Sequence, residues 1–254
     1  MDKVSKDKKP FSGLGKATLL AIWTVVGFGA AQAVLFGIFF VLGSLGISFT
    51  TVNQTVLNTV ISAVVYVLTL LIVIGLPWWL KKYKTTKQDM GLTRLPSWLD
   101  IGLAPAGFII YFLASALVVY LVSVFLPAID LQQAQATGFE RANLTSYYEY
   151  WLVFVTLIIV APIAEEVLFR GYLYGKLRKI IPVWAAVGIV SLLFGAVHGQ
   201  WNVAIDVFVL SIVLCSLREV TGNIWAGVLL HMLKNGLAFY LLFINPSLLN
   251  TIGV

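Results

Sequence analysis

Pro162-Ile163-Ala164-Glu165-Glu166-Val167-Leu168-Phe169-Arg170-Gly171 lies inside an apolar run that begins near Trp151. Two adjacent carboxylates and an arginine are costly in such a run. On insertion scales a charged side chain near the bilayer centre costs about 2.5–3.5 kcal/mol. Residues of this kind face a bundle interior or a water-filled cavity and mark function. On a helix, Glu166 and Arg170 are four apart and share a face, in the better order for an ion pair. Glu165 is rotated by about 100° from Glu166. It is therefore the less neutralised carboxylate and the better candidate for chemistry.

Outward from this stretch, composition sets the class. The chain has 254 residues, 60% hydrophobic and only 11% charged. A soluble domain carries about 25% charged residues. The expectation is an all-α, polytopic transmembrane helical bundle of about seven helices, with six to eight as the range. The alternating pattern of a membrane barrel is absent. The net charge of +6 is clustered. Lys3, Lys6, Lys8, Lys9 and Lys16 precede the first apolar run. Lys81, Lys82, Lys84, Lys87 and Arg94 follow the second, and Lys176, Arg178 and Lys179 follow the fourth. If each run crosses once, all three clusters fall on one side. The positive-inside rule then puts the N-terminus in the cytoplasm and the C-terminus outside. The clusters suit an anionic lipid surface and carry no nucleic-acid motif.

The division expected is a basic cytoplasmic tail over 1–16, a three-helix part over 17–126, and an outside loop over 127–148. A catalytic helical core over 149–244 and a tail over 245–254 follow. The helices are placed at about 17–47, 56–80, 101–126, 149–176, 182–198, 202–217 and 224–244. The basic-then-apolar N-terminus resembles a signal peptide, but the first run is too long for one and reads as a retained helix. Trp78-Trp79, Trp151, Trp184 and Trp225 read as interface anchors. The single cysteine, Cys215, excludes an intramolecular disulfide and a cysteine-rich metal site.

Both histidines stand in apolar surroundings, in Phe194-Gly195-Ala196-Val197-His198 and His231-Met232-Leu233-Lys234-Asn235. Phe194 shares the His198 face and Asn235 shares the His231 face. Counted from the basic clusters, Glu165 lies at a depth of about 16 Å, His231 at about 12 Å and His198 at about 24 Å. The third is high by a turn. Asp206 and Lys234 are expected to pair, with Lys234 free to point away from the Asn235 face. A Glu and a His can activate water as general base, and a second His with an Asn can hold an oxyanion. Glu165, His198 and His231 could equally bind zinc and leave a place for water. No HExxH or GxSxG motif is present.

Glu165-Glu166-x-x-x-Arg170, Phe194-x-x-x-His198 and His231-x-x-x-Asn235 resemble the three ordered motifs of the CAAX protease and bacteriocin-processing family, also called Abi. The resemblance covers about residues 150–240. It implies an all-helical intramembrane endopeptidase in which Glu165 and His198 activate water. It further implies that His231 and Asn235 form the oxyanion hole, while Glu166 and Arg170, with Phe194, support the site. A metal-free mechanism is favoured over zinc, because asparagine suits an oxyanion better than a metal. The expected substrate is a peptide or membrane-anchored protein in a bacterial plasma membrane, in peptide maturation or bacteriocin immunity. The rival classes are a non-catalytic immunity or scaffold protein that binds a partner through the same polar core, and a proton-coupled transporter. Against the transporter, no repeated halves are visible. The substrate and the oligomeric state are not written in the sequence.

Overall fold

A computed structural model describes residues 13–81, 85–131, 133 and 137–248. Most of the first basic cluster, Lys82 and Lys84, and residues 249–254 lie outside this set. Among the described residues there are seven helices and no strand. They are α1 (Leu14–Ser44), α2 (Gln54–Leu80), α3 (Trp98–Phe125), α4 (Tyr147–Leu177), α5 (Val183–Ala196), α6 (Trp201–Thr221) and α7 (Trp225–Ile244). A single 3-10 turn at Arg141–Asn143 interrupts the loop before α4. Each helix lies within a few residues of its expected place.

Five of these, α1 to α4 and α7, are long and apolar enough to cross a membrane. Their outward faces carry Leu19, Phe36, Phe40, Ile109, Leu113 and Phe125, all exposed. Contiguous apolar surface on this scale requires lipid around it. The protein is a multi-pass membrane protein. Half of the most apolar window of α4 is buried against protein, compared with 11% in each of α1, α2 and α3. The helix that carries the costly charges is therefore the hub of the bundle.

Three apolar clusters hold the bundle, and two of them include α4. Val73 of α2 packs with Phe169, Leu173 and Leu177 of α4 and with Val190 and Phe194 of α5. Ala104 of α3 packs with Leu210 and Leu214 of α6 and Leu230 of α7. Near the start of α4, Phe139, Val153, Phe239 and Phe243 form the third. Polar caps fix the helix starts. The Asn53 side chain caps α2 by accepting from Val56 N at 3.1 Å, and its amide donates to Glu149 Oε1 at 2.6 Å. Glu149 closes a capping box with Ser146 at the head of α4. The heads of α2 and α4 are thereby joined, and the two helices run side by side in the same direction.

At the opposite end, the 85–97 loop is bound to the bundle. Asp89 pairs with Lys179, its carboxylate accepts from Thr86 N at 2.9 Å, and its carbonyl accepts from Arg218 at 3.2 Å. Gly175 makes this approach possible, since a Cβ there would stand 2.2 Å from the Asp89 carbonyl oxygen. The Trp225 indole donates to the Arg94 carbonyl at 2.6 Å, while Trp151 and Trp184 are exposed as interface anchors would be.

Candidate active site

The site begins with a proline. Pro162 offers no N–H and its ring crowds the carbonyl four residues back, so an α-helical ladder cannot pass through it undisturbed. Helix α4 accommodates this by widening to π geometry over Val155–Val160, and it widens again over Val167–Tyr174. Wide turns of this kind re-aim backbone and side chains and concentrate at functional sites. The short α-helical stretch between them, Ala161–Glu166, presents Glu165 and Glu166 in two directions.

Glu166 points into protein. Its Oε1 accepts from the Arg170 guanidinium at 2.7 Å, and both side chains are fully buried. His231 Nδ1 lies 3.2 Å from the same oxygen and faces it as a donor. Arg170 also stacks over Phe194, with its guanidinium carbon 4.3 Å from the ring centroid. Glu165 points into a cavity of about 260 Å³. Its Oε1 accepts from the Tyr66 hydroxyl at 2.7 Å, and its Oε2 is 3.8 Å from His231 Nε2. The two ring nitrogens of His231 thus face the two carboxylates, one structural and one lining the cavity.

His198 sits where α5 ends, two residues past Ala196. Gly199 follows with φ +70°, the left-handed conformation that lets the chain turn directly into α6. Helix α5 is only 14 residues long. The ring therefore meets the others inside the bundle, despite its greater depth when counted along the sequence. His198 Nδ1 donates to the Phe194 carbonyl at 2.7 Å, which leaves Nε2 for the cavity. Phe194 meets the rings of His198, His231 and Phe169 edge-on, with centroids 5.0, 5.9 and 5.0 Å away. The Asn235 amide donates to the Leu157 carbonyl at 2.8 Å, within the first wide turn of α4.

Glu165, His198, His231 and Asn235 all line this one cavity. Phe194 also lines it, and Glu166 and Arg170 form the layer behind. Among the described residues, no three His, Cys, Asp or Glu side chains are grouped closely enough to hold a metal ion.

The structure adds residues that spacing did not reveal. Tyr66 and Phe28 bring α2 and α1 to the cavity. Lys234 pairs with Asp206 at 3.3 Å, as expected, but it also lines the cavity instead of pointing away from it. Its long stem lets the ammonium swing toward α6. There Asp206 is itself held by Tyr111 at 2.5 Å and Ser115 at 2.8 Å. A lone tyrosine or serine in an apolar helix gives no sequence signal for any of this.

Residues 147–237 match the profile of the type II CAAX prenyl endopeptidase Rce1-like family. An uncharacterized 24.3 kDa protein of Escherichia coli is 34% identical over 86 residues, which is 32% of this chain and 40% of that protein. The UPF0177 protein YbdI of Lactococcus lactis subsp. lactis (strain IL1403) is 32% identical over 102 residues, 40% of this chain and 50% of that protein. The chain thus spans half or less of the length of these curated relatives. No solved structure matches it. The matched segment contains all three motifs, and over residues 147–237 the resemblance to the CAAX protease and bacteriocin-processing family holds.

Proposed function

We propose that this protein is an intramembrane endopeptidase that hydrolyses a peptide bond in a membrane-associated peptide or protein. The observation that carries the reading is the convergence of Glu165, His198, His231 and Asn235 on one cavity within a membrane bundle. In this mechanism a water molecule stands between Glu165 Oε2 and His198 Nε2. Glu165 takes one proton as the water oxygen bonds to the scissile carbonyl carbon. The resulting oxyanion is held by Asn235 and His231. One amide hydrogen of Asn235 is used by Leu157, which orients the group and leaves the other for the oxyanion. His231 Nε2 is turned to the Glu165 side, where it would donate to the oxyanion, while Nδ1 is turned to Glu166. When the C–N bond breaks, Glu165 returns its proton to the leaving amine, giving one carboxylic acid and one amine.

The same reading places the N-terminus in the cytoplasm of a bacterial plasma membrane and assigns no metal to the chemistry. Support for the metal-free form comes from Asn235, which lines the cavity and is better suited to an oxyanion than to zinc. Peptide maturation and bacteriocin immunity are the processes in which such a peptidase would act.

The test is reconstitution into proteoliposomes with quenched fluorescent peptides carrying an apolar segment, with and without a prenylated C-terminal cysteine motif. Products are read by mass spectrometry. Cleavage at a defined bond by the wild type, and none by Glu165→Ala, is expected. A Glu165→Ala protein that folds, binds its partner and protects cells as the wild type does would establish the non-catalytic immunity or scaffold protein instead.

A further inference from the structure

The segment matching known endopeptidases begins at residue 147, yet one of the groups touching Glu165 comes from residue 66. Tyr66 lies on α2, and its hydroxyl donates to Glu165 Oε1 at 2.7 Å. It lines the cavity with Glu165 and the two histidines. We infer that Tyr66 is a positioning residue that fixes the Glu165 carboxylate for its role as base, so that α2 completes the active site. This rests on the reading of Glu165 as the base.

A carboxylate at the end of a glutamate rotates in a broad, two-fold well. Either oxygen could face the water, or the group could fold toward the histidine. The Tyr66 hydroxyl occupies Oε1. Oε2 is then directed to the cavity side, where it stands 3.8 Å from His231 Nε2. A base held in one orientation starts each turnover in its reactive geometry.

A purely structural role as a tie between α2 and α4 explains less. The two helices are already joined at their heads by the 2.6 Å bond from Asn53 to Glu149. Val73 and Leu70 of α2 also pack against the cluster that contains Phe169 and Leu173. A tie at Tyr66 adds little to that contact, while its oxygen is spent on the one carboxylate that faces the cavity.

The experiment compares Tyr66→Phe, Glu165→Gln and the wild type in proteoliposomes on a peptide the wild type cleaves. Thermal stability is measured alongside. Tyr66→Phe is expected to lower kcat about 10- to 100-fold, the value of a hydrogen bond to a charged group. KM should stay within about twofold and the melting temperature should not change. The phenol is read independently by ultraviolet resonance Raman difference spectra, wild type minus Tyr66→Phe, repeated in a Glu165→Ala background. The signature of a phenol donating to a carboxylate should be present in the first and lost in the second. Full kcat in Tyr66→Phe with Glu165→Gln inactive overturns this inference alone. So does a changed melting temperature, or a raised KM with unchanged kcat, since either marks a structural tie or a substrate contact. Full activity in Glu165→Gln overturns the base itself, and the role of Tyr66 with it.

Discussion

At the scale of single residues, the division of labour between the two glutamates follows from the rotation per residue of the helix. Adjacent residues differ by about 100°, so one carboxylate can face protein while its neighbour faces a cavity. Glu166 is sealed against Arg170 at 2.7 Å, and neither side chain meets solvent. Removing one partner of a buried pair leaves an uncompensated charge and costs about 3–5 kcal/mol. Glu166→Gln and Arg170→Leu are therefore expected to lower folded yield and detergent melting temperature sharply, while Glu165→Gln leaves both near wild type. Equal stability in all three would show that the pair contributes nothing. Asn235→Ala should keep its fold and lose about 100- to 1000-fold in rate, the cost of one oxyanion donor. Asn235→Asp should be slower still, because it sets a negative charge beside the oxyanion. Much of this was legible in the sequence: the i, i+4 pairs of Glu166 with Arg170, Phe194 with His198 and His231 with Asn235 each predicted a shared face. Tyr66 was not, since nothing in the spacing of α2 relates it to a helix about 100 residues away. The second face of His231, toward Glu166, was hidden for the same reason.

At the scale of elements, two features decide how the site is held. The first is the widening of α4 on either side of Ala161–Glu166. The sequence reads as one regular helix here, because the number and length of the wide turns depend on the packing around them. The second is the loop over 85–97, which reads in the sequence only as a basic connection. In the structure it is fastened to α4, α6 and the following turn through Asp89. The hydrogen bond from Lys179 and that from the Thr86 amide hold the Asp89 carboxyl down, lowering it from 3.8 to about 2. Its folded-state value lies below its unfolded one. The stability it contributes is therefore present above about pH 4 and lost as the pH falls toward 2. With allowance for a partly exposed lysine partner, the contribution is about 1–2 kcal/mol. Asp89→Asn is expected to melt earlier than the wild type at pH 6, with the gap closing as the pH is lowered to 3 and below. A gap independent of pH would assign the effect to something other than this carboxylate. Gly175→Ala should loosen the same loop at any pH, because its Cβ would collide with the Asp89 carbonyl. Limited proteolysis within 85–97 would report it.

At the scale of the whole molecule, the arrangement is a lipid-facing set of three long helices beside a four-helix part that holds the motifs. The helix count was legible because each apolar run is bounded by charge, glycine or proline. The short α5 was also legible, at 14 residues or about 21 Å against a hydrocarbon core of about 30 Å. How it brings His198 to the same cavity as Glu165 was not, because that needs the turn at Gly199 and the packing of α5 against α6. Whether α5 and α6 cross or re-enter, they go in and come back, so the sides assigned to α7 and to the ends do not change. The topology expected from the basic clusters can be tested by labelling single cysteines at Thr51 and Lys87 in a Cys215→Ala background. Thr51→Cys should react with an impermeant reagent from outside intact cells, and Lys87→Cys only after permeabilisation. Reaction of both from outside would contradict the assignment. The central claim, that a glutamate-activated water in a membrane cavity cuts a peptide bond, has a more direct test. Initial cleavage rates are measured for the wild type and Glu165→Gln in proteoliposomes after exhaustive chelation, with the metal content of the same samples determined. The account predicts undiminished cleavage by the metal-stripped wild type and none by Glu165→Gln. Cleavage by Glu165→Gln at the wild-type rate, or wild-type activity lost on chelation and restored by zinc alone, would contradict it.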